Sequence, residues 1–226
     1  CKDIFIEKAN NLNSKIIFAN EIFSIPYSMQ NTEGLQVFNV ESKFDNNYKN
    51  LAIDLLGQYQ KKNVITCLAA IKILIEKGFR ITKAHIYEAL KQASKITGLS
   101  GRWQIIGHNP LIVADAGHNE EGIKQVMEQI KTTAYKNLHI IIGMVNDKNI
   151  DKILSLMPKN ASYYFTKANI PRALSEKELK EQAKKYALSG SCFSTVEKAL
   201  NHAKSLALPE DFIFVGGSTF VAAEAI

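Results

Sequence analysis

No stretch of this 226-residue chain approaches the roughly 18–20 consecutive apolar residues that a membrane-spanning helix needs, so no membrane partner is expected. Charge runs are also missing: the formal net charge is +6, but the lysines are interspersed with acidic residues. Without a basic stripe, nucleic acid is not the expected partner, and a mildly basic surface suits small anions equally well. Cysteine is scarce, and Cys1, Cys67 and Cys192 stand far apart with no CxxC or CxxH spacing. That pattern argues against a disulfide framework and against a zinc site, and points to a reducing, cytoplasmic setting. The five histidines are dispersed, so no metal ligands are assigned. No Ser/His/Asp set emerges from spacing, so no catalytic residue is assigned either. Nowhere does Gly-Lys-Ser or Gly-Lys-Thr occur, which excludes a phosphate-gripping P-loop within these residues. Repeats and low-complexity segments are likewise absent. The chain opens on Cys1 without a signal-peptide pattern; it reads as a segment of a longer chain rather than a mature lipoprotein.

What is present is the composition of a folded protein, 46% hydrophobic and 22% charged with only 12 Gly and 5 Pro. The length allows one large domain or two modest ones at roughly 100–200 residues each. Helical spacing over residues 3–12 is followed by an apolar run, 16–19, that predicts a strand. The polar stretch 20–47 contains one strand candidate near 35–40, and residues 50–56 read as another. Val64, Ile65, Leu68, Ile71, Leu74 and Ile75 recur at intervals of three and four, predicting a helix over 58–77 that Gly78 stops. Thr82 caps a second predicted helix running to about 96.

Thr97-Gly98-Leu99-Ser100-Gly101 breaks the pattern and sets the expected boundary between domains 1–97 and 98–226. Beyond it strands and helices alternate: strands at 102–106, 111–115, 138–144, 162–166, 191–193 and 212–215, helices near 120–132, 150–156, 175–187 and 195–206. Ile140-Ile141-Ile142 and Phe212-Ile213-Phe214-Val215 are apolar on successive residues, as in strands covered on both faces. The expected class is α/β, an open, mostly parallel, Rossmann-like sheet.

Ligands of such sheets bind outside the carboxyl ends of the strands, and three predicted ends carry polar clusters. In Asp115-Ala116-Gly117-His118-Asn119 the carboxylate suits ribose hydroxyls and the imidazole an anionic group; the same residues also serve as ordinary turn and helix caps. In Gly216-Gly217-Ser218 two glycines permit close backbone approach and Ser218 offers a hydroxyl, or simply a cap. In Asp147-Lys148-Asn149 the lysine offers a charge to a substrate, or solvates its loop. Arg102 at the expected boundary suits phosphate or ribose, or simply solubility, and Asn63, at the start of the long helix, suits a base, or simply caps the helix.

Taken in order, Leu55-Leu56-Gly57-Gln58-Tyr59-Gln60-Lys61-Lys62-Asn63, Gly101-Arg102-Trp103-Gln104, Asp115-Ala116-Gly117-His118-Asn119, Asp147-Lys148 and Gly216-Gly217-Ser218 resemble the folylpolyglutamate synthases and bifunctional dihydrofolate synthases, within the Mur ligase superfamily. The resemblance implies that residues 1–97 match the end of the central ATPase domain and 98–226 the C-terminal domain. It implies an ATP-dependent amide ligase of folate metabolism that activates a folate or dihydropteroate carboxylate as an acyl phosphate. The amine of L-glutamate then attacks, with magnesium supporting the phosphates. It places Asn63, Arg102 and Asp115 on ATP-contacting positions, and His118 and Ser218 on glutamate-binding positions. It further implies a monomer whose P-loop and magnesium ligands precede this region, leaving the chain inactive by itself. Alternatives are a superfamily ligase of cell-wall precursors and a non-catalytic nucleotide-binding module. Two departures stand out: Gly117-His118-Asn119-Glu120 replaces the family's Ala-His-Asn-Pro, and Tyr59 stands where His is usual.

Overall fold

The computed structural model describes residues 2–44, 47–146 and 150–226. The backbone forms two compact units, one comprising Cys1–Asp54 and Tyr59–Ile96, the other Leu55–Gln58 and Thr97–Ile226. None of the described helices is long and apolar enough to cross a membrane.

The first unit begins with α1 (Lys2–Asn11) and a four-residue helix, α2 (Ala19–Ile22). An antiparallel sheet follows in the order β1 (Phe23–Gln30), β2 (Gln36–Ser42), β3 (Tyr48–Ile53). Two expectations fail here. The apolar run 16–19 forms no strand, because no strand edge pairs with it, and its last residue opens α2. A short apolar run cannot be assigned to strand or helix by periodicity alone. Conversely, β1 lies inside the stretch expected to be mostly irregular. Pro26 hid it, and the structure shows how it is tolerated: β1 is an edge strand whose pairing with β2 shifts register between Ser24 and Tyr27, so the missing N–H falls in the irregularity.

The long helix is α3 (Gln60–Glu76), which buries Val64 and Leu68. Cys67 is exposed on it. Thr82 caps α4 (Lys83–Lys91) through a capping box with His85. The helix expected to continue to 96 instead breaks, and α5 (Ala93–Thr97) starts anew. Asp54 causes the break: both its carboxylate oxygens accept from the Ser94 N–H at 3.0 Å, taking that donor from the helical ladder.

The second unit is a six-stranded sheet in the order β4-β5-β9-β6-β7-β8. Its strands are β4 (Gln104–His108), β5 (Leu111–Ala114), β6 (Leu138–Ile142), β7 (Ser162–Phe165), β8 (Gly190–Cys192) and β9 (Phe212–Gly216). Only β4 runs antiparallel to its neighbour. Between them stand α6 (Glu120–Thr132), α7 (Ile150–Ser155), α8 (Glu176–Lys184), α9 (Val196–Leu206) and, after β9, α10 (Thr219–Ala225). Alternate strand residues enter two separate cores. Val113, Ile140, Ile142, Phe212 and Phe214 pack with α6, α7 and α8, whereas Ile112, Ile141, Ile213 and Val215 pack with α9 and α10. The unbroken apolar runs of β6 and β9 follow from this two-sided burial.

At the opposite edge from the strands' carboxyl ends, buried Asp211 fixes the entry to β9. Its Oδ1 accepts from the N–H and side-chain amide of Asn137 at 3.0 and 2.9 Å, and its Oδ2 from the Leu208 N–H at 2.8 Å. His139 Nε2 lies 3.4 Å from the same oxygen and its Nδ1 2.8 Å from the Tyr164 hydroxyl. Burial pushes the Asp211 carboxyl up, but the hydrogen bonds from Leu208, Asn137 and His139 together outweigh it and hold the group below the usual carboxylate range. A depressed folded-state pKa contributes stability above the unfolded value, about 3.9, that is lost as pH falls through the folded value. The melting temperature of wild type is therefore expected to exceed that of Asp211→Asn at pH 7, and the gap to narrow as pH falls below the unfolded value of about 3.9. A gap independent of pH in thermal melts would show that the carboxylate charge plays no part.

Candidate functional site

Strand β5 passes its chain to α6 on one face of the sheet, while its neighbour β9 passes to α10 on the other. Connections that diverge from adjacent parallel strands leave a crevice beyond their carboxyl ends, and open α/β sheets bind ligands there. Asp115 to Asn119 follow β5, Gly217 and Ser218 follow β9, and Gly143 and Met144 follow β6 on the other side of β9. Two of the three sequence clusters thus flank this one crevice.

Asp115 is 2% exposed and works inward. Its Oδ2 accepts from the Trp103 N–H at 2.7 Å and its Oδ1 from the Gly117 N–H at 2.8 Å. The Ala116 N–H donates to Gly101 O at 2.8 Å, and the Gly101 N–H to Gln104 Oε1 at 2.8 Å. The segments Gly101–Gln104 and Asp115–Gly117, separate motifs in sequence, are therefore one hydrogen-bonded structure. Trp103 sits at φ +48°, a conformation a bulky side chain rarely adopts, and the bond to Asp115 helps hold it there. Its indole is buried against Phe212 with ring centroids 6.0 Å apart. Arg102, half-buried, stands between the two fixed residues.

His118 is exposed, with Nδ1 3.0 Å from Ala116 O, which ties the ring to its own turn. Asn119 caps α6, its Oδ1 accepting from the Gly122 N–H at 2.8 Å. Gly117, which departs from the Ala of the resembled motif, stands in a tight space. A Cβ on Gly117 would stand 3.1 Å from Asp115 Oδ1 and 3.3 Å from Val126 Cγ2, so glycine here relieves a crowded turn.

Beyond β9, a Cβ on Gly216 would lie 2.7 Å from Asp115 O, and Gly217 takes φ +90° with its Cβ direction aimed at Gly143 O. These glycines let the three loops pack directly on one another. Ser218 is 3% exposed and caps α10, its Oγ accepting from the Val221 N–H at 3.1 Å. A hydroxyl that accepts one bond still has its own proton to give.

Asp147, Lys148 and Asn149 lie outside the described residues. The part of that loop which is described, 143–146, is latched to the loop after β7. The Leu174 N–H donates to Met144 O at 2.9 Å, the Asn146 N–H to Arg172 O at 3.1 Å, and Val145 bridges Ala173. Sequence reasoning passed over this second loop, although Pro171-Arg172 after a strand is a signal that marks it. Asn63 belongs to the other unit, exposed in the first turn of α3, its Nδ2 donating to Gln60 Oε1 at 2.7 Å. Among the described residues, no group of three or more His, Cys, Asp or Glu side chains could hold a metal ion.

Residues 101–219 match the family model for the Mur ligase, glutamate ligase domain. The chain is 31% identical over 178 residues to a probable bifunctional folylpolyglutamate synthase/dihydropteroate synthase of Haloferax volcanii, covering 76% of this chain and 20% of that protein. The folylpolyglutamate synthase of Mycobacterium tuberculosis complexed with ADP superposes with a TM-score of 0.85 at 18% identity, covering 99% of this chain and 51% of the other. A bifunctional folylpolyglutamate synthase/dihydrofolate synthase from Yersinia pestis, complexed with AMPPNP and Mn ion, gives 0.76 at 20% identity, covering 97% and 48%. The chain thus spans about half of each of these solved chains and a smaller share of the Haloferax protein.

Proposed function

The chain belongs to the Mur ligase family, and from that membership we infer that it supplies the glutamate-side part of an ATP-dependent ligase joining L-glutamate to folates. The observation that carries the reading is the junction at Asp115, which ties Gly101–Gln104 to the turn bearing His118, beside the loop bearing Ser218. Relatives named folylpolyglutamate synthases favour the folate branch over cell-wall ligases.

In this reading the folate carboxylate takes the γ-phosphoryl group of ATP, releasing ADP. The glutamate amine then attacks the acyl carbon, phosphate leaves, and the amine proton is lost to solvent. His118 and Ser218 hold the amino acid and Arg102 contacts the nucleotide, while Asp115, whose oxygens accept from the Trp103 and Gly117 N–H groups, acts by positioning. Ser218 donates a hydroxyl proton from a rigid, buried position. The Asp115–Ala116 turn fixes the backbone on either side of Arg102, Asp115 through the Trp103 N–H and Ala116 through Gly101 O, so that both substrates meet preformed surfaces; such positioning is worth several orders of magnitude in rate. In this reading the magnesium ligands lie outside this chain; among the described residues no group of three or more His, Cys, Asp or Glu side chains could hold the ion. The monomeric state, the absence of a nucleic-acid partner and the cytoplasmic setting belong to the same proposal.

The test is an assay of the complete protein carrying these residues, given ATP and L-glutamate with dihydropteroate, a tetrahydrofolate or a cell-wall precursor. Glutamate is expected in the folate or pteroate product. Transfer to the cell-wall precursor alone would replace this reading with the cell-wall one. Residues 1–226 alone, with no Gly-Lys-Ser or Gly-Lys-Thr, are expected to release no phosphate from ATP.

A further inference from the structure

Buried polar side chains in the second unit are hydrogen-bonded with two exceptions. Asp115, Gln129, His139, Asp211 and Ser218 all have partners. Among the described residues, the buried side-chain oxygens that have none are Thr166 Oγ1 and Glu176 Oε2. Glu176 Oε2 has an ion pair with Lys167 at 3.5 Å, whereas Thr166 is 0% exposed and its hydroxyl has nothing. The two atoms bracket one segment: Thr166 directly follows β7, Glu176 opens α8, and the loop 167–175 runs between them. That loop is fastened to both neighbours of the crevice. The Leu174 N–H donates to Met144 O in the loop after β6, and the Asn169 N–H donates to Glu224 Oε1 of α10 at 2.6 Å. The backbone of Thr166 is placed as firmly. Its N–H donates to Ile142 O at 2.9 Å, and its carbonyl oxygen lies 2.6 Å from where a Cβ on Gly143 would stand. Gly143 O in turn lies 2.9 Å from the Cβ position of Gly217, the residue before Ser218. The first residues after β7, β6 and β9 are therefore stacked on one another beside the crevice.

Valine has nearly the shape of threonine and leaves no hydroxyl unpaired, so packing alone would favour valine at this position. A buried hydroxyl with no partner in one arrangement is accounted for by a second arrangement in which it has one. We propose that Thr166 is a positioning residue for the incoming amino acid: with that substrate bound, the loop 167–175 takes a second position in which the Thr166 hydroxyl gains its hydrogen bond. This inference rests on the glutamate-ligase reading and adds to it a residue that none of the sequence clusters contained. Glu176, at the far end of the same loop, is the second group left to be satisfied by the shift. A substrate moves such an equilibrium only by its differential affinity for the two arrangements. The hydroxyl therefore contributes to the affinity for the amino acid and not to the stability of the free protein.

The test compares wild type with Thr166→Val and Thr166→Ser in the complete protein, reading the urea midpoint without substrates, KM and kcat for L-glutamate, and KM for ATP. Thr166→Val keeps the shape and loses the hydroxyl. Its midpoint is expected at or above that of wild type, while its glutamate KM rises at least about fivefold and its ATP KM stays within about twofold. Thr166→Ser keeps the hydroxyl and loses a buried methyl. Its midpoint is expected to fall while its glutamate KM stays within about twofold of wild type. The more stable variant is thus the poorer enzyme, an order that a purely structural role would reverse. A glutamate KM within about twofold of wild type in an active Thr166→Val enzyme overturns the inference and leaves the ligase reading standing. A Thr166→Val midpoint clearly below wild type also overturns it, because the hydroxyl would then be bonded in the free fold. A wild-type protein that transfers no glutamate removes both readings.

Discussion

Asp115→Ala is expected to destabilise the unit containing residues 97–226 by about 2–6 kcal/mol, because it leaves the N–H groups of Trp103 and Gly117 without their acceptor, at about 1–3 kcal/mol each when buried. The carboxylate is 2% exposed, so water does not readily replace it. The loss also frees Trp103 from the contact that holds its positive φ. Asp115→Asn keeps one acceptor but turns an NH2 toward the other donor, and about half the effect is expected. Trp103 is the chain's single tryptophan and stands at the site, so urea unfolding followed by its fluorescence reports on the right place. A shift under about 0.5 kcal/mol, the level of a neutral surface change, would show that the junction is not held by this side chain.

Gly217→Ala has the next largest expected cost. The backbone at φ +90° disfavours any side chain, and an added Cβ would meet Ile142 Cγ1 at 2.8 Å and Gly143 O at 2.9 Å. Strain and overpacking together are expected to cost about 2–4 kcal/mol and to open the loops after β6 and β9. Gly98→Ala is the control, since Gly98 also has positive φ, +69°, but nothing lies within 4 Å of its Cβ direction. It is expected to lose only the backbone part, about 1–2 kcal/mol. Equal losses for the two variants in denaturant titrations would mean that close loop packing contributes nothing at Gly217.

The second unit was legible because its signals are local and repeated. Apolar runs in β6 and β9 declared two-sided burial, and Asn119, Ser175, Thr195 and Ser218 each stand as the N-cap of a helix. The first unit was harder. Its edge strand β1 carries Pro26 and half-exposed residues, and only the partner strand makes it a strand. The break between α4 and α5 depends on Asp54, forty residues before Ser94, and no local pattern announces such a bond. At the site, the residue types at Asp115, His118 and Ser218 were readable, but the roles were not. Spacing left Asp115 open to a ribose contact or a cap, and it took the fold to show it accepting from Trp103, twelve residues earlier.

The most direct measurement is the glutamate dependence of product formation by the complete protein with His118→Ala and Ser218→Ala, alone and combined. Substitution at the crevice edge is expected to raise the KM for L-glutamate at least about tenfold while the ATP KM stays near wild type, as lost ground-state binding requires. Unchanged glutamate KM in a folded, active double variant would place the amino acid elsewhere and contradict the assignment of this edge.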